Sequence, residues 1–355
     1  MLYPLKFKPL YKDYIWGGRN LEKLGKVLPE GIVAESWEIS CHPDGVSVVD
    51  NGDFEGMTLP DLIKKYGKQL VGNSLPEKDI EKFPLLIKLI DANDKLSVQV
   101  HPEDEYAQTH ENGELGKNEM WYVISAKPGA KLVYDVNPDT TKASFSQAVK
   151  DGKIESCLKF VEVFAGDVLN IPAGLVHAIG EGIVLAEVQQ NSNTTYRVYD
   201  YERVDKSGNK RPLHIDKALE VIDFNSADRK EKYTGLEVKL NSSSLKNYKV
   251  ANKYFSVELY DIQGKIEEIA DGSRFYIFIF TEGEGEIICQ TMKVKIKAGE
   301  SVLIPASMGV YTLQGNFKAL KAYVPDLQQN VINPLKAAGF SEEDIITNVA
   351  GLQTK

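Results

Sequence analysis

A short motif occurs twice in the chain, and this repetition constrains the fold more than any other feature of the sequence. Residues 165–173 read Ala-Gly-Asp, then a short apolar run, then Ile-Pro-Ala, and residues 298–306 repeat this order with Glu in place of Asp. An apolar, aromatic run followed by a glycine-containing turn precedes each copy, at 121–124 and at 275–280. Repeated short strands with Gly and Pro turns are typical of barrels and jelly rolls. The repeat therefore predicts a mainly β chain that contains two such barrels.

The length and the position of the repeats predict the domain limits. The chain has 355 residues, enough for about two domains. We predict a first domain with helical insertions at 1–235, a second barrel at 236–325 and a C-terminal helical extension at 326–355. Apolar residues at helical spacing predict the inserted helices near 59–66, 144–150 and 216–222.

In the C-terminal extension, a helical run from Asn333 stops at Gly339, and Ser341 begins a capped second helix. This extension lies outside both copies of the repeat. It is expected to cover an edge strand or to form a contact surface.

Four side chains with nitrogen or oxygen donors lie in or next to the strand-like runs around the first copy of the motif. Gln99 and His101 are two apart in an apolar, strand-like run, so both project from the same face. Glu119 opens a second run, and His177 closes a third run over 168–172. Donors of these types suit Zn(II) or a similar divalent ion. The sequence therefore predicts one metal site assembled from Gln99, His101, Glu119 and His177.

The second copy lacks these donors. Aligned without gaps, His177 corresponds to Val310, and Glu119 falls near Arg274. We therefore predict that the second barrel is metal-free and structural.

Charge and composition exclude several classes of partner. The net charge is −9 and the sequence contains no basic stripe, so we do not expect the protein to bind nucleic acid. No run approaches the roughly 18 apolar residues that span a bilayer, and the N-terminus lacks an apolar signal core. The three cysteines are far apart and form no CxxC pair. We expect a soluble, cytoplasmic protein without disulfides, of undetermined oligomeric state.

Several motifs together resemble one family. Residues 95–102, 116–122 and 170–177 resemble the type I mannose-6-phosphate isomerases (phosphomannose isomerases) of the cupin superfamily, and their short bacterial branch in particular. Further likeness occurs in the same order along the chain, at 14–18, 34–40 and 194–201. The resemblance covers about residues 1–325 and leaves the C-terminal extension unmatched.

The resemblance implies a fold, a reaction and a set of site residues. The fold would be mainly β, with two cupin-type jelly-roll barrels and inserted short helices. The reaction would interconvert mannose 6-phosphate and fructose 6-phosphate by proton transfer through an enediol, linking mannose use to glycolysis or supplying mannose for polysaccharide. One divalent metal per chain, usually zinc, would be held by the four donors named above. Family positions for an active-site arginine, a lysine, a glutamate and a serine fall on Arg197, Lys117, Glu187 and Ser97.

The chemistry suggests a role for each of these residues. Lys117 would lie beside the metal-binding glutamate and is a candidate base or proton shuttle, although a solvated turn lysine is the alternative. Glu187 is the other candidate base, or else a partner of a metal ligand. Arg197 cannot give up its proton, so its role is electrostatic stabilisation of the enediolate or contact with the substrate. Ser97 and Lys95 are predicted to contact the phosphate.

One departure from the family pattern keeps two other functions open. Family members often carry aspartate where this chain has Asn193, and an asparagine cannot act as a carboxylate base. A non-catalytic sugar-phosphate-binding protein is therefore one alternative. Another cupin metalloenzyme, such as an iron-dependent oxygenase, is the second, although an oxygenase site has no need of Lys117 and Arg197.

Overall fold

The computed structural model describes residues 1–80, 82–204, 207–225, 229–290 and 292–352. Strands account for most of the regular structure within these ranges, as predicted. The strands are β1 Leu5–Lys8, β2 Leu10–Lys12, β3 Glu35–Ile39, β4 Cys41–His42, β5 Gly45–Val46, β6 Val48–Val49, β7 Leu85–Ala92, β8 Val98–Val100, β9 Glu119–Ala126, β10 Lys131–Val136, β11 Leu158–Glu162, β12 Val168–Ile171, β13 His177–Ala178, β14 Ile183–Gln190, β15 Tyr196–Tyr199, β16 Leu236–Lys239, β17 Leu245–Ala251, β18 Ser256–Ala270, β19 Tyr276–Cys289, β20 Met292–Lys297, β21 Ser301–Ile304 and β22 Gly309–Tyr323.

Short helices interrupt the strands at the three predicted places, and also at three places that the sequence did not indicate, namely Lys68–Val71, Glu77–Ile80 and Asp104–His110. The α-helices are α1 Leu59–Tyr66, α2 Lys68–Val71, α3 Glu77–Ile80, α4 Asp104–His110, α5 Lys142–Lys150, α6 Ile215–Val221, α7 Asn333–Ala337 and α8 Glu342–Asn348. Single turns of 3-10 helix cover Asn20–Leu24, Gly52–Phe54 and Ile154–Cys157, and a π-helical turn covers Gln328–Ile332. None of the helices in these ranges is long and apolar enough to cross a membrane.

The strands form four antiparallel sheets. A nine-stranded sheet has the order β16-β17-β18-β22-β19-β21-β1-β6, with β20 paired to β19. A six-stranded sheet has the order β12-β9-β14-β7-β3-β2, and a five-stranded sheet has the order β11-β10-β13-β8-β15. The strands β4 and β5 form a separate pair. The mainly β, antiparallel architecture is thus confirmed, and closure of the sheets into two jelly-roll barrels stays a prediction.

The two copies of the repeated motif occupy equivalent places in the sheets. In the first copy, β12 pairs with β9, so that Val168 lies opposite Tyr122. In the second copy, β21 pairs with β19, so that Ile304 lies opposite Tyr276. In both cases the strand that leads into Ile-Pro-Ala packs beside the aromatic strand that precedes it. The repetition in the sequence therefore reflects a repeated strand pair.

The N-terminal strand joins the sheet of the C-terminal half. Leu5 of β1 pairs with Leu303 of β21, while Phe7 of the same strand pairs with Val49 of β6. A strand pairing of this kind connects residues that are about 300 positions apart. The proposed domain limits, at 235 and 325, stay predictions beside this arrangement.

The C-terminal extension packs against the edge of the nine-stranded sheet. The amide of Ala251 donates to the carbonyl of Ala350 over 2.8 Å, and the amide of Ala350 donates to the carbonyl of Lys249 over 3.0 Å. A small apolar cluster forms underneath, with members from the sheet and from the extension, namely Leu236, Tyr248, Ala251, Val331, Leu335, Ile345 and Val349. The extension therefore pairs with β17 beyond the residues that pair with β16, and it shares a core with this sheet.

Ile345→Ala is expected to lower the free energy of unfolding by about 2–4 kcal/mol, because it leaves a cavity in this buried cluster. Ile345 is 1% exposed on α8, whereas the adjacent Ile346 on the same helix is only half-buried. Ile346→Ala is the matched control and should cost about 1 kcal/mol or less. Urea unfolding of both variants measures the difference. A loss in Ile345→Ala as small as that in the control would mean that docking of the extension contributes little to stability.

Candidate metal centre and active-site cavity

Neighbouring strands bring the predicted donors together. Gln99 on β8 pairs with His177 on β13 on one side and with Arg197 on β15 on the other. His101 directly follows β8, two residues after Gln99. Glu119 is the first residue of β9 and reaches the same place from the six-stranded sheet. The five-stranded and six-stranded sheets therefore meet at these side chains.

His177 lies on a different strand from the one that the sequence suggests. It does not end the run over 168–172, because it opens the separate two-residue strand β13. A turn at Gly174, with φ of 84°, lies between β12 of the six-stranded sheet and β13 of the five-stranded sheet. The positive φ favours glycine there. A change of sheet within six residues leaves no mark in the alternation of apolar side chains.

The two imidazoles present unprotonated nitrogens to each other. Nδ1 of His101 lies 2.9 Å from the carbonyl oxygen of Thr194, and Nδ1 of His177 lies 2.8 Å from that of Leu175. A carbonyl oxygen only accepts hydrogen bonds, so Nδ1 carries the proton in both rings. The two Nε2 atoms, which then carry lone pairs, are 3.1 Å apart. Burial, and secondly the charge of Lys117, lowers the pKa of His101 to about 3, which keeps this ring neutral.

The spacing of the donor atoms fits a tetrahedral metal ion. Nε2 of His101 lies 3.2 Å from Oε1 of Glu119, and the donor atoms of His101, Glu119 and His177 all lie within 4.8 Å of one another. Ligands about 2.1 Å from a tetrahedral ion are about 3.4 Å apart. The amide nitrogen of Gln99 lies 3.4 Å from Nε2 of His177, and a half-turn of the amide places its oxygen there. A buried carboxylate beside two facing lone pairs favours a bound cation.

Lys117 is buried against this donor set. Its Nζ lies 2.7 Å from Oε1 of Glu119 and 3.2 Å from Nε2 of His101. Burial would raise the pKa of Glu119, but the charge of Lys117 holds it well below its usual range. Glu119 is therefore ionised and available as a ligand. The exposed turn lysine that the sequence left open as an alternative does not fit a side chain that is only 4% exposed.

A buried network joins Glu119 to Glu187. The indole Nε1 of Trp121 lies 3.1 Å from Oε2 of Glu119 and 2.9 Å from Oε2 of Glu187. Nζ of Lys88 then lies 3.1 Å from Oε1 of Glu187 and 3.6 Å from Oε2 of Glu35. The antiparallel register produces this cluster, because Glu187 on β14 lies opposite Lys88 on β7 and Trp121 on β9.

The pKa of the Glu187 carboxyl is shifted upward by its surroundings. Burial, followed by the charge of Glu119, raises the pKa of Glu187 to about 7, against the opposing effect of Lys88. Carboxyl groups shifted in this way are frequent at sites of acid–base chemistry. A divalent ion beside Glu119 would stabilise the carboxylate form and move this pKa downward.

Of the remaining predicted residues, Arg197 and Ser97 line the active-site cavity, whereas Lys95 does not. The guanidinium Nε of Arg197 donates to Oγ of Ser97 over 3.3 Å, and Nη1 donates to the carbonyl of Pro212 over 2.8 Å. Both side chains line the same cavity as Gln99 and Lys117. Lys95 is not among the residues that line this cavity. Its Nζ lies over the ring of Tyr201 instead, 3.7 Å from the ring centre. A phosphate contact by Lys95 stays a prediction.

The cavity has a volume of about 310 Å³ and contains charged residues that the sequence did not indicate as functional. Lys88 and Glu35 face it from β7 and β3, and Arg211 faces it from the loop that follows β15. Lys88 had a signal in the sequence, namely a cation within the mostly apolar run of β7. Arg211 had none, because only the folding of its loop brings it to the cavity.

Asn193, the departure from the family pattern, also lines this cavity. Its side-chain amide donates to Oδ2 of Asp44 over 2.7 Å. A carboxylate therefore lies next to this position although residue 193 itself carries none. Asp44 borders a neighbouring cavity that shares Asn193 with the first.

Comparisons with known proteins agree with one another. The family model for the type I phosphomannose isomerase catalytic domain matches residues 4–123, and that for the mannose-6-phosphate isomerase cupin domain matches residues 244–324. The chain is 38% identical over 322 residues to mannose-6-phosphate isomerase ManA of Bacillus subtilis, covering 90% of this chain and 99% of the relative. It is 36% identical over 328 residues to mannose-6-phosphate isomerase of Streptococcus mutans, covering 91% and 99%.

A solved structure supports the same conclusion. The crystal structure of mannose 6-phosphate isomerase from Bacillus subtilis superposes with a TM-score of 0.83 at 33% identity, and it covers 90% of this chain and 99% of that one. About a tenth of this chain thus has no counterpart in these relatives, and both family models end before the C-terminal extension. The chain belongs to the type I mannose-6-phosphate isomerase family.

Proposed function

We propose that the chain interconverts mannose 6-phosphate and fructose 6-phosphate, with one divalent metal ion, zinc, bound by Gln99, His101, Glu119 and His177. Family membership supports the isomerase activity. The observation that carries the metal dependence is the facing pair of imidazole Nε2 atoms, 3.1 Å apart beside an ionised carboxylate. Two neutral imidazoles, one amide and one carboxylate leave a bound divalent ion with a net positive charge, which attracts an anionic sugar phosphate.

The reaction moves a carbonyl between C1 and C2, so a proton must leave one carbon and reach the other. A bound divalent ion supplies electrostatic stabilisation of the negative charge that grows on the sugar oxygens. We assign the transfer of the carbon-bound proton to Glu187, which lines the cavity, so that its carboxylate takes the proton from C2 and returns it to C1. Burial raises the pKa of this carboxyl, and the bound cation lowers it again. The enediol forms between these two steps.

Two cations support this proton transfer. Lys117 has its ammonium 2.7 Å from Glu119, on the side of the cavity where the sugar oxygens would lie, and exchanges protons with them. Arg197 faces the cavity from β15 with Nη2 still available as a donor within the described structure, and it stabilises the enediolate. The structure that supports these roles is the row His177, Gln99 and Arg197 across three adjacent strands.

The remaining expectations accompany this proposal. We propose two cupin-type barrels within 1–235 and 236–325, of which only the first binds metal, and a cytoplasmic location. The absence of the donor types at Arg274 and Val310 supports the metal-free second barrel.

A coupled assay tests the proposed function. The zinc-loaded protein is mixed with mannose 6-phosphate, and formation of fructose 6-phosphate is followed, with glucose 6-phosphate as the control substrate. Turnover of mannose 6-phosphate in both directions is the expected result. Binding of the sugar phosphate without turnover would instead support the non-catalytic alternative, for which Asn193 is the motivating observation.

Trp121→Phe is expected to weaken zinc binding about 10- to 100-fold, because the variant lacks the indole N–H that holds the carboxylates of Glu119 and Glu187. The phenyl ring is smaller than indole, so the variant also loses buried contacts, and the matched control loses contacts of the same kind. Competition with a chromogenic chelator measures the zinc affinity. Trp37→Phe is a matched control, since its indole N–H donates to Glu35 rather than to a metal donor. Unchanged zinc affinity in Trp121→Phe would contradict this role.

A further inference from the structure

The cavity carries an excess of positive charge at one end. Four cationic side chains and two carboxylates line it, although the chain as a whole has a net charge of −9. Lys88 and Lys117 form ion pairs with glutamates at the end that holds the metal donors. In the described part of the chain, Arg197 forms no ion pair, and Arg211 pairs only with Asp200. The arginine end is therefore the one that attracts an anion.

Arg211 lies in a segment beyond the strand of Arg197, on the side away from the strands of Gln99 and His177. The strand order places His177, Gln99 and Arg197 in one row, and Arg197 is at the edge of this sheet. The next segment runs along that edge, since His214 N donates to the carbonyl of Arg197 over 2.8 Å and Arg197 Nη1 donates to Pro212. Arg211 directly precedes this segment. The backbone order along this sheet is thus the strands of His177 and Gln99, then the strand of Arg197, then the segment of Arg211, and both arginines line the cavity.

The guanidinium of Arg211 is fixed in position by Asp200. Nε donates to Oδ2 of Asp200 over 2.8 Å, and Nη2 donates to Oδ1 of the same carboxylate. This bidentate contact leaves Nη1 without an acceptor among the described residues. Arg203 holds Asp200 from another direction, with Nη2 2.6 Å from Oδ1, but does not line the cavity. One carboxylate thus orients two arginines, and only one of them reaches the site.

We infer that Arg211 binds the phosphate group of the substrate through Nη1, with Asp200 as its positioning residue and Ser97 as a neighbouring donor. This inference rests on the proposed function, and it names the end of the cavity that receives the phosphate. A fixed guanidinium with an available N–H suits a phosphate oxygen. The sugar then extends from Arg211 past Arg197, and C1 and C2 reach the metal donors at the other end.

The test uses inorganic phosphate as the ligand and the zinc-loaded full chain as the protein. Arg211→Met is expected to weaken phosphate binding about 10- to 100-fold by calorimetry, because a charge-assisted hydrogen bond is lost. Arg203→Met is the matched control, since it removes an arginine from the same carboxylate without removing one from the cavity. Its phosphate affinity should stay within about threefold of the original protein. Arg211→Lys should bind phosphate more tightly than Arg211→Met but less tightly than the original protein, because lysine keeps the positive charge but lacks the planar, bidentate guanidinium.

Steady-state kinetics supply a second readout. Arg211→Met should raise KM for mannose 6-phosphate by the same factor and change kcat much less, as expected for a contact that is equal in the ground and transition states. Equal losses of phosphate binding in Arg203→Met and Arg211→Met would overturn the inference and assign the effect to the fold of the loop. Unchanged phosphate binding in Arg211→Met would overturn it directly. If phosphate binding depends on Arg211 but the protein shows no isomerase turnover, the proposed reaction is wrong and the proposed anion site is supported.

Discussion

Removal of the metal, and separately the substitution His101→Ala, is expected to lower kcat/KM for mannose 6-phosphate by at least about 1,000-fold. A divalent cation contributes several kcal/mol of charge stabilisation, and each 1.36 kcal/mol corresponds to about tenfold in rate. Dialysis against a chelator should abolish turnover in the original protein, and added zinc should restore it. In His101→Ala, zinc content measured by atomic absorption should fall together with activity, because one of the two facing imidazoles is gone.

A histidine outside the cavity provides the control. His110 is the last residue of α4, is exposed, and stacks on Tyr106 away from the residues that line the cavity. His110→Ala should therefore keep both zinc and turnover. Full turnover by a protein shown to be free of metal would contradict the metal-dependent reaction, whereas loss of zinc in both variants would point to damage of the fold.

The grouping of the candidate metal donors was predictable partly from short-range rules and partly from the resemblance to the family. Gln99 and His101 share one face by strand alternation, and the family motifs supply Glu119 and His177. Several of the helices were predictable for local reasons, whereas the short α2, α3 and α4 were missed. Ser341, for example, caps α8 through a reciprocal hydrogen-bonded pair with Asp344, and this pattern is visible in the sequence.

Features that depend on long-range register were not predictable. Lys88 meets Glu187 only because β7 and β14 pair in one particular register, and shifting that register by one residue would separate them. The pairing of β1 with β21 likewise joins strands from opposite ends of the chain. Arg211 reaches the cavity because Asp200 holds its loop, which no periodicity in that segment indicates.

Glu187→Gln is expected to lower kcat by about 100- to 10,000-fold, the usual contribution of a positioned acid–base group. The amide keeps the size and most hydrogen bonds of the side chain, but it cannot accept the proton from C2. In the original protein, kcat/KM should rise with pH as the carboxyl loses its proton, with an apparent pKa at or below about 7, because burial raises the pKa and the bound cation lowers it. This acidic limb should be absent in Glu187→Gln.

Glu35→Gln separates proton transfer from the ion-pair network, because Glu35 lines the same cavity and contacts the same Lys88. It should lose less than about tenfold in kcat and keep the acidic limb. Exchange of the C2 hydrogen of mannose 6-phosphate with deuterated water gives a direct readout of proton removal. This exchange should continue in Glu35→Gln and stop in Glu187→Gln. Exchange that persists in Glu187→Gln would transfer the role of base to the neutral amine form of Lys117, whose Nζ lies beside Glu119 at the same end of the cavity.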